Sequence, residues 1–274
     1  MYPALSRSYK GQYPFRLGTT SFIYPDVYGI NVKMLGPYLD EIELLLLEST
    51  HPGSLPSPAA IRELARLAED FELTYNVHLP SDIAIGHPAA AQQQRAVDIL
   101  LQVFERVAPL APTTHTLHIA GGPNSSTPDG LEQWRQTAHA NLKKLLAAGI
   151  RAEKLSIETL DYPFEWVEDL IDDLDLRICI DLGHLIKYGY NEEASLEKYY
   201  GRTTIMHLHG VEDQRDHLSL DRLPQESIAP VLRKLGNFSG TVSLEVFSFE
   251  DLQASLTFFH KCWQRRTAAC PSLR

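Results

Sequence analysis

The stretch Leu176-Arg177-Ile178-Cys179-Ile180-Asp181-Leu182-Gly183-His184 holds the pattern that decides the fold. A mostly apolar run with the length of a buried strand ends in Asp181, and His184 follows three residues later. Toward both ends of the chain, other apolar runs of similar length also end in an imidazole or a carboxylate. These side chains are His78, His118, Glu158, His209 and Glu245, and Asp216 with His217 follows the seventh run.

Segments with helical periodicity lie between these runs, so strands and helices alternate. The predicted strands cover residues 15–20, 41–47, 73–78, 115–119, 154–158, 176–181, 204–209 and 241–245. The predicted helices include one that begins at Ser57 and Pro58, and others over residues 92–107, 131–148, 165–174, 192–200, 225–235 and 249–263. This alternation in 274 residues predicts a single-domain (β/α)8 TIM barrel, an architecture of typically about 250 residues. Residues 1–14 are predicted to be an N-terminal extension and residues 267–274 a loose tail.

Composition and charge narrow the function classes. The hydrophobic content of 44% and the charged content of 22% are those of an ordinary globular enzyme. The net charge of −10 argues against a protein that grips a nucleic acid polymer, because such proteins need a positive surface. The substrate is therefore expected to be a small molecule.

Cysteine usage and the N-terminus predict a cytoplasmic protein with no membrane partner. Cys179, Cys262 and Cys270 are odd in number and irregular in spacing, which argues against a disulfide framework. The N-terminus has no apolar core of signal-peptide length, and the chain has no apolar stretch of about 18 residues that would span a bilayer. The sequence does not indicate an oligomeric state.

The strand-end side chains are predicted to form a metal site at the C-terminal rim of the barrel. All strands of such a barrel end on one rim, so residues far apart in sequence converge there. A lone histidine in this position is more often a hydrogen-bonded core residue, but several acidic residues together would carry unpaired buried charges. Divalent ions would neutralise those charges. The predicted ligands are His78, His118, Glu158, Asp181, His184, His209, Asp216, His217 and Glu245.

With these residues, the chain from about residue 15 to 260 resembles the xylose-isomerase-like barrel superfamily, which includes sugar isomerases and epimerases and the endonuclease IV group. Many epimerases of that superfamily hold one ion with Glu, Asp, His and Glu. The matching residues here are Glu158, Asp181, His209 and Glu245. The endonuclease IV group adds histidines from the third and fourth strands, a histidine three residues after the Asp, and a late Asp/His pair. The matching residues are His78, His118, His184, Asp216 and His217.

The fuller ligand set resembles the phosphodiesterase branch more than the one-metal branch. This resemblance implies two or three divalent ions, zinc or manganese, with Glu158 bridging two of them. It also implies Glu158, Asp181 and Glu245 as the catalytic carboxylates. One departure concerns the third ion, because Asp216 and His217 are adjacent here, whereas the endonuclease pattern separates them by one residue.

A narrower resemblance lies in the loops. Residues 17–25, 41–48, 207–211 and 216–220 are similar to the cobamide-remodelling phosphodiesterases. That family cuts the nucleotide-loop phosphodiester of B12-type cofactors and yields cobinamide phosphate and the α-riboside of the lower base. The resemblance implies that a cobamide is the small-molecule substrate.

Several rim residues are predicted to contact the substrate. Arg215 follows His209 by six residues, as the substrate Arg follows the metal His in ketose epimerases, and it would also suit a phosphate. Phe22, Tyr24 and Tyr188 lie in loops after the first and sixth strands and would offer an apolar face to a large flat substrate. Packing of these loops against one another is an equally weighted alternative. The roles of Glu43 and Glu48 stay open, and His207 is predicted to support a ligand rather than to be one.

Three other functions remain open at this stage. A one-metal sugar isomerase or epimerase would use Glu158 and Glu245 to move a carbon-bound proton. An endonuclease IV-like repair nuclease would use the fuller ligand set on DNA. A barrel without catalytic activity is the third alternative. The number of bound ions separates the one-metal isomerase from the phosphodiesterase.

Overall fold

Eight parallel strands close into a barrel in the computed structural model of the protein, which describes residues 2–50, 55–120 and 127–269. They are β1 (Arg16–Thr20), β2 (Glu41–Leu45), β3 (Thr74–His78), β4 (His115–Leu117), β5 (Leu155–Glu158), β6 (Arg177–Asp181), β7 (Thr203–Leu208) and β10 (Thr241–Leu244). Neighbours around the barrel follow chain order, and β10 closes the ring against β1. β8 (Gly210–Glu212) and β9 (Arg215–Leu218) form an antiparallel hairpin after β7. The predicted (β/α)8 barrel is confirmed.

Helices connect the strands on the outside. They are α1 (Tyr28–Leu35), α2 (Pro58–Phe71), α3 (Ala90–Val107), α4 (Pro128–Ala147), α5 (Glu168–Asp173), α6 (Leu182–Lys187), α7 (Glu192–Tyr199), α8 (Gln225–Leu235) and α9 (Phe249–Ala269). The sequence marks the start of α2 well, because the Ser57 side chain accepts a hydrogen bond from the Ala60 N–H and Pro58 begins the helix. No helix in the described ranges is long and apolar enough to cross a membrane.

Three elements were not predicted. α1 begins inside a segment that was expected to be a loop, where the Asn31 side chain bonds to the backbone N–H and C=O of Tyr24. α6 follows Asp181 directly, in a stretch between the predicted sixth strand and the helix over residues 192–200 where no helix was predicted. The β8–β9 hairpin turns through Asp213 and Gln214, both at positive φ, so no glycine marks it. The predicted turn at residues 121–123 lies outside the described residues.

The lower half of the barrel interior is polar. Glu41 is fully buried there and accepts hydrogen bonds from Asn76 (2.9 Å) and Thr241 (2.7 Å), and it pairs with Arg16 (3.0 Å). At Gly18, a Cβ atom would lie 2.7 Å from the Glu41 carbonyl oxygen, so a side chain does not fit. This network fills the N-terminal end of the barrel and leaves the opposite rim for a functional site.

The N-terminal segment packs along the barrel. The Tyr9 N–H donates to the Tyr38 carbonyl near the lower end, and the Tyr13 ring stacks on Phe15. Near the upper rim, the Tyr2 ring packs against Tyr24. The segment therefore covers one side of the barrel from its lower end to the rim.

Candidate metal centre

The first group of candidate ligands comes from three successive strands. His78 ends β3, His118 follows β4, and Glu158 ends β5. Oε2 of Glu158 lies 3.2 Å from His78 Nε2 and 2.7 Å from His118 Nε2, and the two imidazole nitrogens are 3.2 Å apart. These ligand atoms are close enough together to hold one ion.

The other oxygen of Glu158 belongs to a second group. Its Oε1 lies 3.3 Å from His207 Nδ1 and 3.4 Å from His184 Nδ1. Glu158 is therefore a carboxylate with imidazoles on both oxygens, and all of its side chain is buried. This arrangement suits a carboxylate that bridges two ions.

His207 lies at the middle of the second group. Its Nδ1 is 3.1 Å from Glu245 Oε2 and 3.8 Å from Asp181 Oδ2. One ligand atom each from Glu158, Asp181, His207 and Glu245 can lie within 4.8 Å of one another. The sequence predicts His209 as the imidazole beside these carboxylates and His207 as a supporting residue, whereas the structure brings His207 into the group.

The third group is formed by His184, His209 and His217. His209 Nε2 is 3.0 Å from Asp181 Oδ1, so this group borders the second one. The His209 ring lies directly against Gly183, where a Cβ atom would come within 2.0 Å of the imidazole. Gly183 therefore makes the room that His209 occupies.

Local backbone structure fixes the second and third groups relative to each other. Asp181 is the N-cap of α6, and its Oδ1 accepts a 2.7 Å hydrogen bond from the His184 N–H. His217 has a φ of 53°, and its backbone N–H donates to His209 Nδ1 at 3.0 Å. Asp181 and the hairpin therefore position the imidazoles from both sides.

Two predicted residues of the hairpin point elsewhere. The Asp216 carboxylate accepts a 2.6 Å hydrogen bond from Lys187 Nζ. The imidazole of His184, which belongs to the metal centre, is 4.0 Å away from it. Arg215 is 70% exposed, and its nearest acidic partner is Glu212 at 4.0 Å. Lys187 carries no signal in the sequence; its ammonium group lies at the rim and forms an ion pair with Asp216.

Imidazoles and carboxylates perturb one another in this centre. Burial alone would lower the pKa of the histidines, but the surrounding carboxylates raise the pKa of His78 to about 9 and that of His184 to about 10. Cys179, followed by the carboxylates of Glu43 and Glu245, raises the pKa of His207 well above its ordinary value. Burial would raise the pKa of Glu158 and Glu245, but nearby imidazoles, His118 and His207 foremost, lower both. Without an ion, the centre therefore holds imidazolium–carboxylate pairs at neutral pH.

Unsatisfied polar atoms indicate that these residues fit metal ions. Glu245 Oε2 and His207 Nε2 are buried, and neither has a hydrogen-bond partner in the described part of the chain. The Glu43 carboxylate lies 3.0 Å from His207 Nε2 and Glu245 Oε2 lies 3.1 Å from His207 Nδ1, but neither contact has hydrogen-bond alignment. Imidazole and carboxylate ligands of this kind suit zinc or manganese.

A family model described as "Xylose isomerase-like TIM barrel" matches residues 32–262. The chain belongs to this family. No curated protein matches the sequence.

Solved structures share the fold of this xylose isomerase-like barrel at low identity. A D-tagatose 3-epimerase-like protein is 17% identical with a TM-score of 0.76, covering 91% of this chain and 97% of its own. The 3-keto-D-glucoside 4-epimerase YcjR from E. coli is 14% identical with a TM-score of 0.69, covering 91% and 99%. SacUVDE is 11% identical with a TM-score of 0.64, covering 90% and 99%.

The aromatic residues of the rim differ in their exposure. Phe22 is 51% exposed and Tyr188 is 41% exposed. Tyr24 is buried, with its hydroxyl donated to the Pro3 carbonyl and its ring against Tyr2 and Phe249, so it supports the wall of the rim. Phe247 was not predicted; it is 42% exposed, and its ring centroid lies 4.9 Å from that of His217.

Proposed function

We propose that this xylose isomerase-like barrel is a metal-dependent phosphodiesterase. The observation that carries the proposal is Glu158, whose two oxygens face different groups of imidazoles. A one-metal centre needs only one of these groups. The three groups together offer ligands for two or three ions.

Divalent ions would supply Lewis acidity to a phosphoryl group and acidify a water molecule. The protein's own part is to hold and orient them. Glu158 would be a ligand in both the first and the second group. Asp181 and Glu245 would be the other carboxylate ligands of the second group.

The substrate that we propose is a cobamide, cut at its nucleotide-loop phosphodiester. The support is the amino-acid sequence of residues 17–25, 41–48, 207–211 and 216–220, which is similar to that of the cobamide-remodelling enzymes. The net charge of −10 favours a small diester over a DNA polymer, because a nuclease must hold several phosphates with cationic groups.

A ketose epimerase is the second candidate, because solved structures with this fold include sugar 3- and 4-epimerases. Such an enzyme would use Glu158 and Glu245 to move a carbon-bound proton. The position of Arg215 argues against an epimerase. The epimerase pattern would place this residue on the substrate, but its side chain is 70% exposed and lies 4.0 Å from Glu212.

Product identification tests the proposal. The purified protein, loaded with zinc or manganese, is incubated in parallel with a complete cobamide, a simple phosphodiester and a set of ketoses. Chromatography is expected to show cobinamide phosphate and an α-riboside from the cobamide and no epimerised sugar. Epimerised ketose without cleavage of either diester would replace the proposal with the second candidate. Cleavage of the simple diester alone would reject only the cobamide.

A further inference from the structure

An apolar groove opens beside the metal centre on the same rim. Its volume is about 680 Å³, within the range of small-molecule sites. Its walls include Phe22, Ile23, Pro25, Leu45, Leu47 and Phe247. Phe22 and Phe247 are among the most exposed large apolar side chains of the described chain.

Phe247 joins the groove to the centre. It follows the candidate ligand Glu245 by two residues, and its ring lies against the imidazole of His217. His217 in turn is 3.8 Å from Glu245 Oε2. A group attached to a phosphate at the centre would therefore enter the groove without crossing any other part of the barrel.

The chemistry of the walls selects the occupant. Two exposed phenyl rings and aliphatic side chains bind flat conjugated rings well, because aromatic contacts add to the burial of apolar area. A hydroxyl-rich sugar would leave most of its polar groups without partners, because Ser248 and Glu250 are among the few polar residues of a lining that is otherwise mostly apolar.

We infer that this groove is a specificity subsite for a planar aromatic group carried by one ester oxygen of the phosphodiester. The inference rests on the proposed function and adds the class of substituent that the enzyme prefers. Binding of that remote group would place the phosphate at the centre.

Two diesters that share one product isolate the subsite. Methyl phenyl phosphate and dimethyl phosphate both yield methyl phosphate, and only the first carries an aromatic group for the groove; the different reactivity of the two esters cancels when each variant is compared with the wild type. Phe247→Ala and Phe22→Ala are expected to lower kcat/KM for methyl phenyl phosphate about tenfold more than for dimethyl phosphate. Val27→Ala removes another exposed apolar side chain that does not line the groove, so it should leave the ratio unchanged.

Calorimetry gives a readout that does not need turnover. Phenyl phosphate is expected to bind the metal-loaded protein about tenfold more tightly than methyl phosphate, and Phe247→Ala should remove the difference. Equal losses on both diesters, or equal affinities for both monoesters, would overturn the subsite. If the wild-type protein cleaves neither these diesters nor a cobamide, the proposed function fails, and the monoester affinities alone decide whether the groove binds aromatic groups.

Discussion

Single side chains decide how the centre is shared between ions. Glu158 contacts imidazoles on both of its oxygens, while His207 contacts Glu158, Glu245 and Glu43 around one ring. Because these groups are buried, removing one charge leaves its neighbours unpaired. Substitutions that preserve volume therefore separate chemistry from packing.

Glu158→Gln keeps the shape of the side chain and removes its charge. Supporting partners of metal ligands typically account for 10–100-fold in affinity or activity, so loss of a shared carboxylate should cost at least about 100-fold in kcat. Elemental analysis should show fewer ions per chain than in the wild type. Glu226→Gln changes an exposed glutamate on α8 and serves as the control. Near-normal turnover in Glu158→Gln would contradict the proposed metal centre.

Gly183→Ala tests the position of His209. The new Cβ would lie 2.0 Å from the imidazole, so the ring must move, and misplacement by about 1 Å can cost 100-fold in rate. The fold should survive, because alanine favours helix over glycine by about 1 kcal/mol within α6. Gly201→Ala is the matched control, since a Cβ there meets nothing within 4 Å. A fully active Gly183→Ala enzyme would show that His209 has no part in turnover.

The sequence predicts strand ends but not the depth of residues within the barrel. His207 lies in β7 and His209 directly follows its end, two residues later, so the alternation of side chains alone does not choose between them. The choice follows from register, in which His207 lies opposite Asp181 of β6 and Ser243 of β10. The sequence does not indicate that Phe247 lies exposed at the rim, because its exposure depends on the conformation of the loop after β10.

At the level of elements, Asp181 serves both the metal centre and the start of α6. Asp181→Asn keeps a side chain that caps helices as well as Asp, but it removes the negative charge beside His209. We expect it to lose metal and turnover, and to lower the melting temperature of the metal-free protein, because the buried imidazoles of His184 and His209 lose the charge of their carboxylate partner. Asp181→Ala should also lose the cap, at a cost of about 1 kcal/mol in the free energy of unfolding. Equal stability of both variants would contradict the capping role.

Short elements escaped prediction for physical reasons. α6 has only six residues and contains Gly183, and the hairpin turn uses Asp213 and Gln214 rather than glycine. The long amphipathic helices were predictable because each repeats its period over many residues. The buried strands were predictable because each is a short, mostly apolar run. Local sequence therefore indicates the barrel, whereas the segments that shape its rim depend on tertiary contacts.

For the whole molecule, the raised histidine pKa values predict how metal-free stability depends on pH. A group whose folded pKa exceeds its unfolded value of about 6.5 stabilises fully below that pH and loses its contribution as the pH rises through the folded value. His78 and His184 have folded pKa values of about 9 and about 10, so the metal-free protein should melt at progressively lower temperature from pH 6.5 to pH 10. Thermal unfolding across this range checks it, and a rising melting temperature would contradict the assigned pairs.

The number of ions that one chain binds tests the account most directly. Metal-free protein is titrated with zinc and with manganese, and bound ions are counted by elemental analysis while diester cleavage is followed in the same samples. The three groups around Glu158 predict two or three ions per chain, with activity rising only as the second ion binds. Ion binding should also raise the melting temperature, since ions bind the folded state. Full activity with one ion per chain would contradict the bridged centre and favour the epimerase.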